Sequence, residues 1–200
     1  KDNYRFIVKT GTPPADADEG TKIPGRGANF RCLISDVPIS GDYIKTEGSA
    51  GRMGARLMAI VAESTHGRVY LSPTQEMETI ALKAEPSWKP SGDVPSRLTG
   101  GTCVPYGLKK WGDLYTQRQL VALTTISTII EDACRRVEQD ALHTWMSSNK
   151  QSEVEFHSIA HEYAVAISTY LACVLSRMAD RHSSLCRWDP NPSGFAPKIA

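Results

Sequence analysis

The stretch TQRQLVALTTISTIIEDACRRVEQDALHTWM, residues 116–146, decides the fold. Leu120, Leu123, Ile126, Ile130, Ala133, Val137 and Ala141 recur at intervals of three or four, which lays an apolar stripe along one face of a helix. Thr116 with Gln119 three residues on makes a capping box, so the helix has a defined start. The pattern predicts a helix over 117–147, roughly 45 Å long at the usual rise. SSNKQS at 147–152 then makes a turn. Ile159, Tyr163, Ile167, Tyr170, Leu171, Val174 and Met178 repeat the stripe from about 154 to 182. Two long helices joined by so short a turn pack antiparallel.

The chain ahead of this pair reads differently. YRFIVKTG (4–11) alternates like a short strand, and a Pro-, Gly- and Asp-rich loop follows to residue 27. NFRCLI (29–34) is a second strand candidate, stopped by Ser35, Asp36 and Pro38. GSAGRMGARLMAIVAES (48–64) predicts a helix entered through three glycines, with Met53, Leu57, Ile60 and Val61 on one face. GRVYL (67–71) predicts a strand. Ser72, Pro73 and Gln75 then suit the cap, first position and capping box of a helix running to about Ala84. Pro86, Pro90, Pro95 and Pro105, with Gly100-Gly101 between them, mark residues 86–107 as a linker or long surface loop.

The expected fold class is therefore α+β and α-rich. A small ribbon-like β unit with short helices (1–85) and a linker (86–107) precede an antiparallel helical hairpin (108–188) and a tail (189–200).

The formal net charge of the 200 residues is +1, so no strong field announces a nucleic-acid or membrane partner. Five cysteines without Cys-x-x-Cys spacing fit a reducing cytoplasm better than a disulfide framework. No signal peptide opens the chain, and no apolar run approaches the ~18 residues a membrane helix needs. A first residue of Lys1 reads as an excised piece of something longer.

Several stretches invite chemistry. Asp189-Pro190-Asn191-Pro192 invites comparison with the Asp/Asn-Pro-Pro-aromatic tetrapeptide of amino-group methyltransferases, but its fourth position is Pro192 and not the ring that stacks on a flipped base. A helix end, after Ser183-Ser184, accounts for the prolines. GRGANF (25–30) lacks the third glycine and the strand–helix context of a dinucleotide fingerprint. In EGSAGRMGAR (47–56), Gly48, Gly51 and Gly54 entering a helix beside Arg52 and Arg56 could hold a phosphate; alternatively the glycines only allow a tight entry. Cys32 faces Ser35 where zinc wants a second cysteine. His157 and His161 share a helix face, yet Glu162 is misplaced for a His-Glu-x-x-His site. Arg118, Arg135 and Arg136 read as a solvated helix face. No Ser-His-Asp or Cys-His arrangement has local support.

GANFRCLISDVPI, GSAGRMGARLMAIVAE, GRVYLSPTQE, YGLKKWGDLYTQRQLVALTTIS and YLACVLSRMADRHSSLCRWDP together resemble one family. It is the large bacterial DNA methylases described as adenine-specific and zinc-ribbon-containing, some found near anti-phage defence genes. The resemblance runs from about Tyr4 to Pro190. It implies that this chain matches the segment between the cofactor-binding Asp-Pro-Phe-type motif and the Asp-Pro-Pro-Tyr catalytic motif. No catalytic residue is carried over, and Ser35 departs from the Cys-x-x-Cys of some members, leaving no metal site. S-adenosylmethionine is implied for the whole enzyme and no cofactor for this segment. DNA, the rest of the catalytic domain or a second copy are the implied partners, without a membrane. Arg26, Arg31, Lys45, Arg52 and Arg56 are the expected DNA-phosphate contacts. The alternative is a structural helical module for dimerisation or docking in the same enzyme.

Overall fold

The computed structural model describes residues 4–16, 20–148 and 153–186. Asp189-Pro190-Asn191-Pro192, the tail 189–200 and most of the 147–152 turn lie outside the described residues. The fold is α+β, with four α-helices, two small antiparallel two-stranded sheets and a long helix pair among the described residues. The chain divides into one unit of Lys1–Ala84 with Pro90–Asp113 and another of Glu85–Lys89 with Leu114–Ala200.

In the first unit, β1 (Phe30–Arg31) pairs antiparallel with β2 (Pro38–Ile39), Phe30 opposite Ile39. The strand is shorter than the 29–34 expected because Cys32–Val37 turn back on themselves. The Cys32 N–H donates to Val37 O at 2.9 Å and the Asp36 N–H to Cys32 O at 3.0 Å, with Asp36 left-handed at φ 59. Residues 4–10 form no strand; the Val8 N–H donates instead to Ser72 Oγ at 2.8 Å.

The helix expected over 48–64 does not form beyond Ser49. The helix α1 occupies Gly41–Ser49, capped by Ser40, whose hydroxyl accepts from the Tyr43 N–H at 3.2 Å. Its end explains the misreading. The Gly51 N–H donates to Gly48 O and the Arg52 N–H to Glu47 O, with Gly51 at φ 69. That is a Schellman motif, in which glycine closes a helix. The glycines end one helix and do not begin another. Ile60–Ser64 is strand β3, paired with β4 (Gly67–Leu71) across Thr65-His66, so the β-branched Ile60 and Val61 serve a hairpin.

Helix α2 covers Gln75–Leu82, capped by Thr74 rather than Ser72; the Thr74 hydroxyl accepts from the Met77 N–H at 3.2 Å. The Pro/Gly-rich stretch carries structure of its own. The Val94 N–H bonds Lys109 O and the Trp111 N–H bonds Gly92 O, both at 2.9 Å, and Val94 and Cys103 are buried. Left-handed Gly107 lets residues 104–107 lie against the end of α1.

The second unit is the helix pair: α3 (Gln117–Ser148) and α4 (Glu153–Arg181). The capping box forms as the sequence predicts, the Thr116 N–H reaching Gln119 Oε1 at 2.8 Å and the Gln119 N–H reaching Thr116 Oγ1 at 3.3 Å. Ser184 N–H and Oγ both donate to Leu114 O, tying the end of α4 to the start of α3 as antiparallel packing requires.

On α3 all seven stripe residues are buried or half-buried. On α4 the seam is rotated. Phe156, Ala160 and Ala164 are buried and Ile167, Leu171 and Met178 half-buried, whereas Ile159, Tyr163, Tyr170 and Val174 are exposed. Two alanines four apart let α4 approach its neighbour closely. Phe156–Arg181 is also long and apolar enough by length and composition to cross a membrane, with a best-window mean hydropathy of 1.3. An uninterrupted-run criterion misses it because Ser and Thr interrupt a segment that carries no charge from Tyr163 to Ser176.

Candidate functional site

One concave site in the first unit is built around Arg56. Residues 52–59 lie outside helix and strand and carry its guanidinium to α2, where Nε and Nη2 grip both carboxylate oxygens of Glu78. Glu78 also accepts the Leu57 N–H at 3.3 Å and is only 7% exposed. The Tyr4 ring lies 4.5 Å from the guanidinium carbon and meets Phe6 edge-on, centroids 5.6 Å apart. These groups line a cavity of about 350 Å³ at the start of α2.

The Arg56 hydrogen bond is the main cause that holds the Glu78 carboxyl below its usual range, and Glu78 in turn raises Arg56. A carboxylate depressed in the folded state stabilises the fold above its unfolded pKa, about 4.3, and that stabilisation is lost as pH falls through the folded value. In acid titration followed by circular dichroism, the wild-type chain should lose stability below about pH 4 more steeply than Glu78→Gln. Equal acid slopes would rule out the pair as a contributor.

The five expected phosphate contacts sit on different elements, and four of them are held in ion pairs. Arg31 sits on β1 and pairs with Asp36 at 3.0 Å; Lys45 sits on α1 and pairs with Asp42 at 3.1 Å. Arg52, just beyond α1, makes a two-pronged contact with Glu47 at 2.7 and 2.8 Å. Arg56 belongs to the separate grouping with α2. Arg26 is exposed in the loop before β1 and makes no ion pair among the described residues.

These pairs differ in what an incoming phosphate must displace. Exposed pairs such as Arg31–Asp36 and Lys45–Asp42 are worth about 0–1 kcal/mol, so a phosphate can share or take the cation. Arg56 is held against a buried carboxylate, and releasing it would strand that charge. The helix entry that a phosphate cradle at 47–56 would need is not there. Gly48 and Gly51 lie at the carboxyl end of α1, where the negative end of the helix dipole disfavours an anion.

Other candidates resolve individually. Cys32 and Ser35 share the β1–β2 turn, and hydrogen bonds from Ser35 are the main cause lowering the Cys32 thiol. Among the described residues no group of three His, Cys, Asp or Glu stands together to hold a metal. His161 Nδ1 lies 3.4 Å from Glu138 of α3, and His157 faces solvent. Arg118, Arg135 and Arg136 are exposed, with Arg135 paired to Asp132 and Arg136 4.0 Å from Asp140.

Sequence reasoning missed Glu78. Its signal was an acid in the first turn of a helix whose cap had been placed two residues early. The chain is thus a two-unit α+β protein in which, among the described residues, Arg56 and Glu78 form a part-buried ion pair. It matches no family model, no curated protein and no solved structure.

Proposed function

We propose that this chain is a non-catalytic accessory segment of an S-adenosylmethionine-dependent DNA adenine methyltransferase, one that helps position DNA. The observation carrying the reading is the resemblance of five long strings, in order, from about Tyr4 to Pro190. Its own residues would act on the sugar–phosphate backbone through Arg26, Arg31 and Lys45, which are solvent-facing or held only by exposed pairs. Such contacts supply affinity and orientation without reading sequence. The methyl donor would be held by the remainder of the enzyme and supplies the transferred methyl group there.

The test is a gel shift on duplex DNA across a salt series. Wild-type chain is expected to bind with a linear salt dependence, and the triple reversal Arg26→Glu, Arg31→Glu, Lys45→Glu should flatten the log–log slope by about two to three. An unchanged slope and affinity would sink the phosphate role.

A second reading, a helical docking module of the same enzyme, is favoured by a different observation. The α4 face bearing Ile159, Tyr163, Tyr170 and Val174 is apolar and uncovered in the chain by itself.

A further inference from the structure

We propose that the cavity of about 350 Å³ beside Arg56 is a nucleotide site, taking the phosphate of a nucleoside monophosphate unit on Arg5 and Arg56 and its base on the rings of Tyr4 and Phe6. The site goes beyond the DNA reading and uses none of Arg26, Arg31 and Lys45. Its walls all belong to the first unit: Tyr4, Arg5 and Phe6 from the N-terminal segment, Arg56 from the stretch after α1, and Gln75 and Glu78 from α2. The volume lies at the small end of the roughly 300–1,000 Å³ of small-molecule sites, which set a few placed polar groups on an apolar lining. Here those groups are two cations and a carboxamide.

Arg5 is exposed and makes no ion pair among the described residues. A guanidinium carries five N–H donors. Arg56 uses Nε and Nη2 on Glu78 and on the Tyr4 carbonyl at 3.4 Å, which leaves both Nη1 hydrogens without a partner among the described residues. A phosphate taken by Nη1 keeps the Glu78 pair in place, so the buried carboxylate is never stranded. Glu78 thereby holds the fork in one orientation for the incoming anion. The exposed Glu76 in the first turn of α2 offsets the positive end of that helix, so the attraction comes from the two arginines and not from the helix end.

Tyr4 and Phe6 stand at 89° to one another with centroids 5.6 Å apart, so their rings form a corner. A flat base seated in it stacks on one ring and meets the other edge-on, as unpaired bases are held elsewhere. The Arg56 guanidinium lies 4.5 Å from the Tyr4 ring centroid, which puts the phosphate and base positions side by side. Gln75 is exposed, and its carboxamide makes no hydrogen bond among the described residues. A carboxamide offers a donor beside an acceptor, the pair that matches the edge of adenine. An inorganic anion would use the cations alone, and an apolar side chain the rings alone. A nucleotide uses both, together with the amide.

Chemical-shift titration of the 200-residue chain with adenosine 5′-monophosphate, adenosine and inorganic phosphate, each to about 5 mM, tests the proposal. The nucleotide is expected to saturate and to bind more tightly than either of its parts. Arg5→Ala should weaken nucleotide and phosphate alike by about tenfold. Phe6→Ala should weaken nucleotide and adenosine by at least about fivefold and spare phosphate. Gln75→Ala, at an exposed position, should weaken nucleotide and adenosine by about threefold with unchanged far-ultraviolet dichroism. A single-stranded oligodeoxyadenylate that displaces the nucleotide places the unit within a strand, and one that leaves it bound assigns the free nucleotide; both keep the chemistry. A chain without a saturable nucleotide shift overturns the proposal. So does binding indifferent to Arg5→Ala and Phe6→Ala, or phosphate bound as tightly as the nucleotide. The triple reversal at Arg26, Arg31 and Lys45 should leave nucleotide binding unchanged, so this site and the DNA contacts fail separately.

Discussion

Gly48→Ala is expected to destabilise the first unit by roughly 3 kcal/mol, although alanine is the better helix former by about 1 kcal/mol. The added Cβ would stand 2.3 Å from Tyr106 O and 2.8 Å from Tyr106 C, both backbone atoms that cannot rotate away. On the other side of the contact, a Cβ on Gly107 would meet Gly48 O at 2.1 Å, and Gly107 already holds φ 92. The two glycines touch backbone to backbone, and this contact fixes residues 104–107 against α1. Relief requires α1 to move by about an ångström, which opens the packing around it. Chemical denaturation read at Trp111 would measure the change. A stabilised Gly48→Ala variant would mean that helix propensity wins and the contact is not made.

Ala160→Leu combined with Ala164→Leu should splay the helix pair and cost about 3 kcal/mol, since overpacking runs at roughly 1–3 kcal/mol per site. Both alanines have 0% exposure, so neither leucine has room. Ile159→Ala with Val174→Ala should change stability by less than about 1 kcal/mol because both side chains face water. The sequence stripe alone implies the reverse order, with Ile159 and Val174 in the seam. Thermal unfolding of the two double variants decides which face is covered. A costly Ile159→Ala, Val174→Ala pair and a tolerated alanine-to-leucine pair would place the seam where the hydrophobic pattern puts it.

The candidate site was legible only in part. Arg56 was visible as a basic residue, but its partner Glu78 lies 22 positions away, and no local pattern couples an arginine outside helix and strand to a helix first turn. Arg31, Lys45 and Arg52 were readable as charges and not as ion pairs. Their neighbours Asp36, Asp42 and Glu47 stand three to five residues off, close enough that the pairings could have been proposed from spacing. The glycines at 48 and 51 were read with the wrong polarity. Gly at a helix end is favoured most after the last turn, and Ser40 with Asp42 already offered a start for the helix that those glycines close.

What the amino-acid order determined by itself was local: the Thr116–Gln119 cap, the lengths of α3 and α4, their antiparallel pairing and the β4 strand. Each depends on interactions within a few residues or on a periodicity repeated over many turns, so noise in single positions averages out. Tertiary structure alone decided which side of α4 is covered, which end of α1 the glycines occupy and which carboxylate holds Arg56. Those outcomes turn on volume and on partners distant in sequence. Hydrophobicity ranks Ile159 above Ala164, but close packing of two helices rewards the smaller side chain.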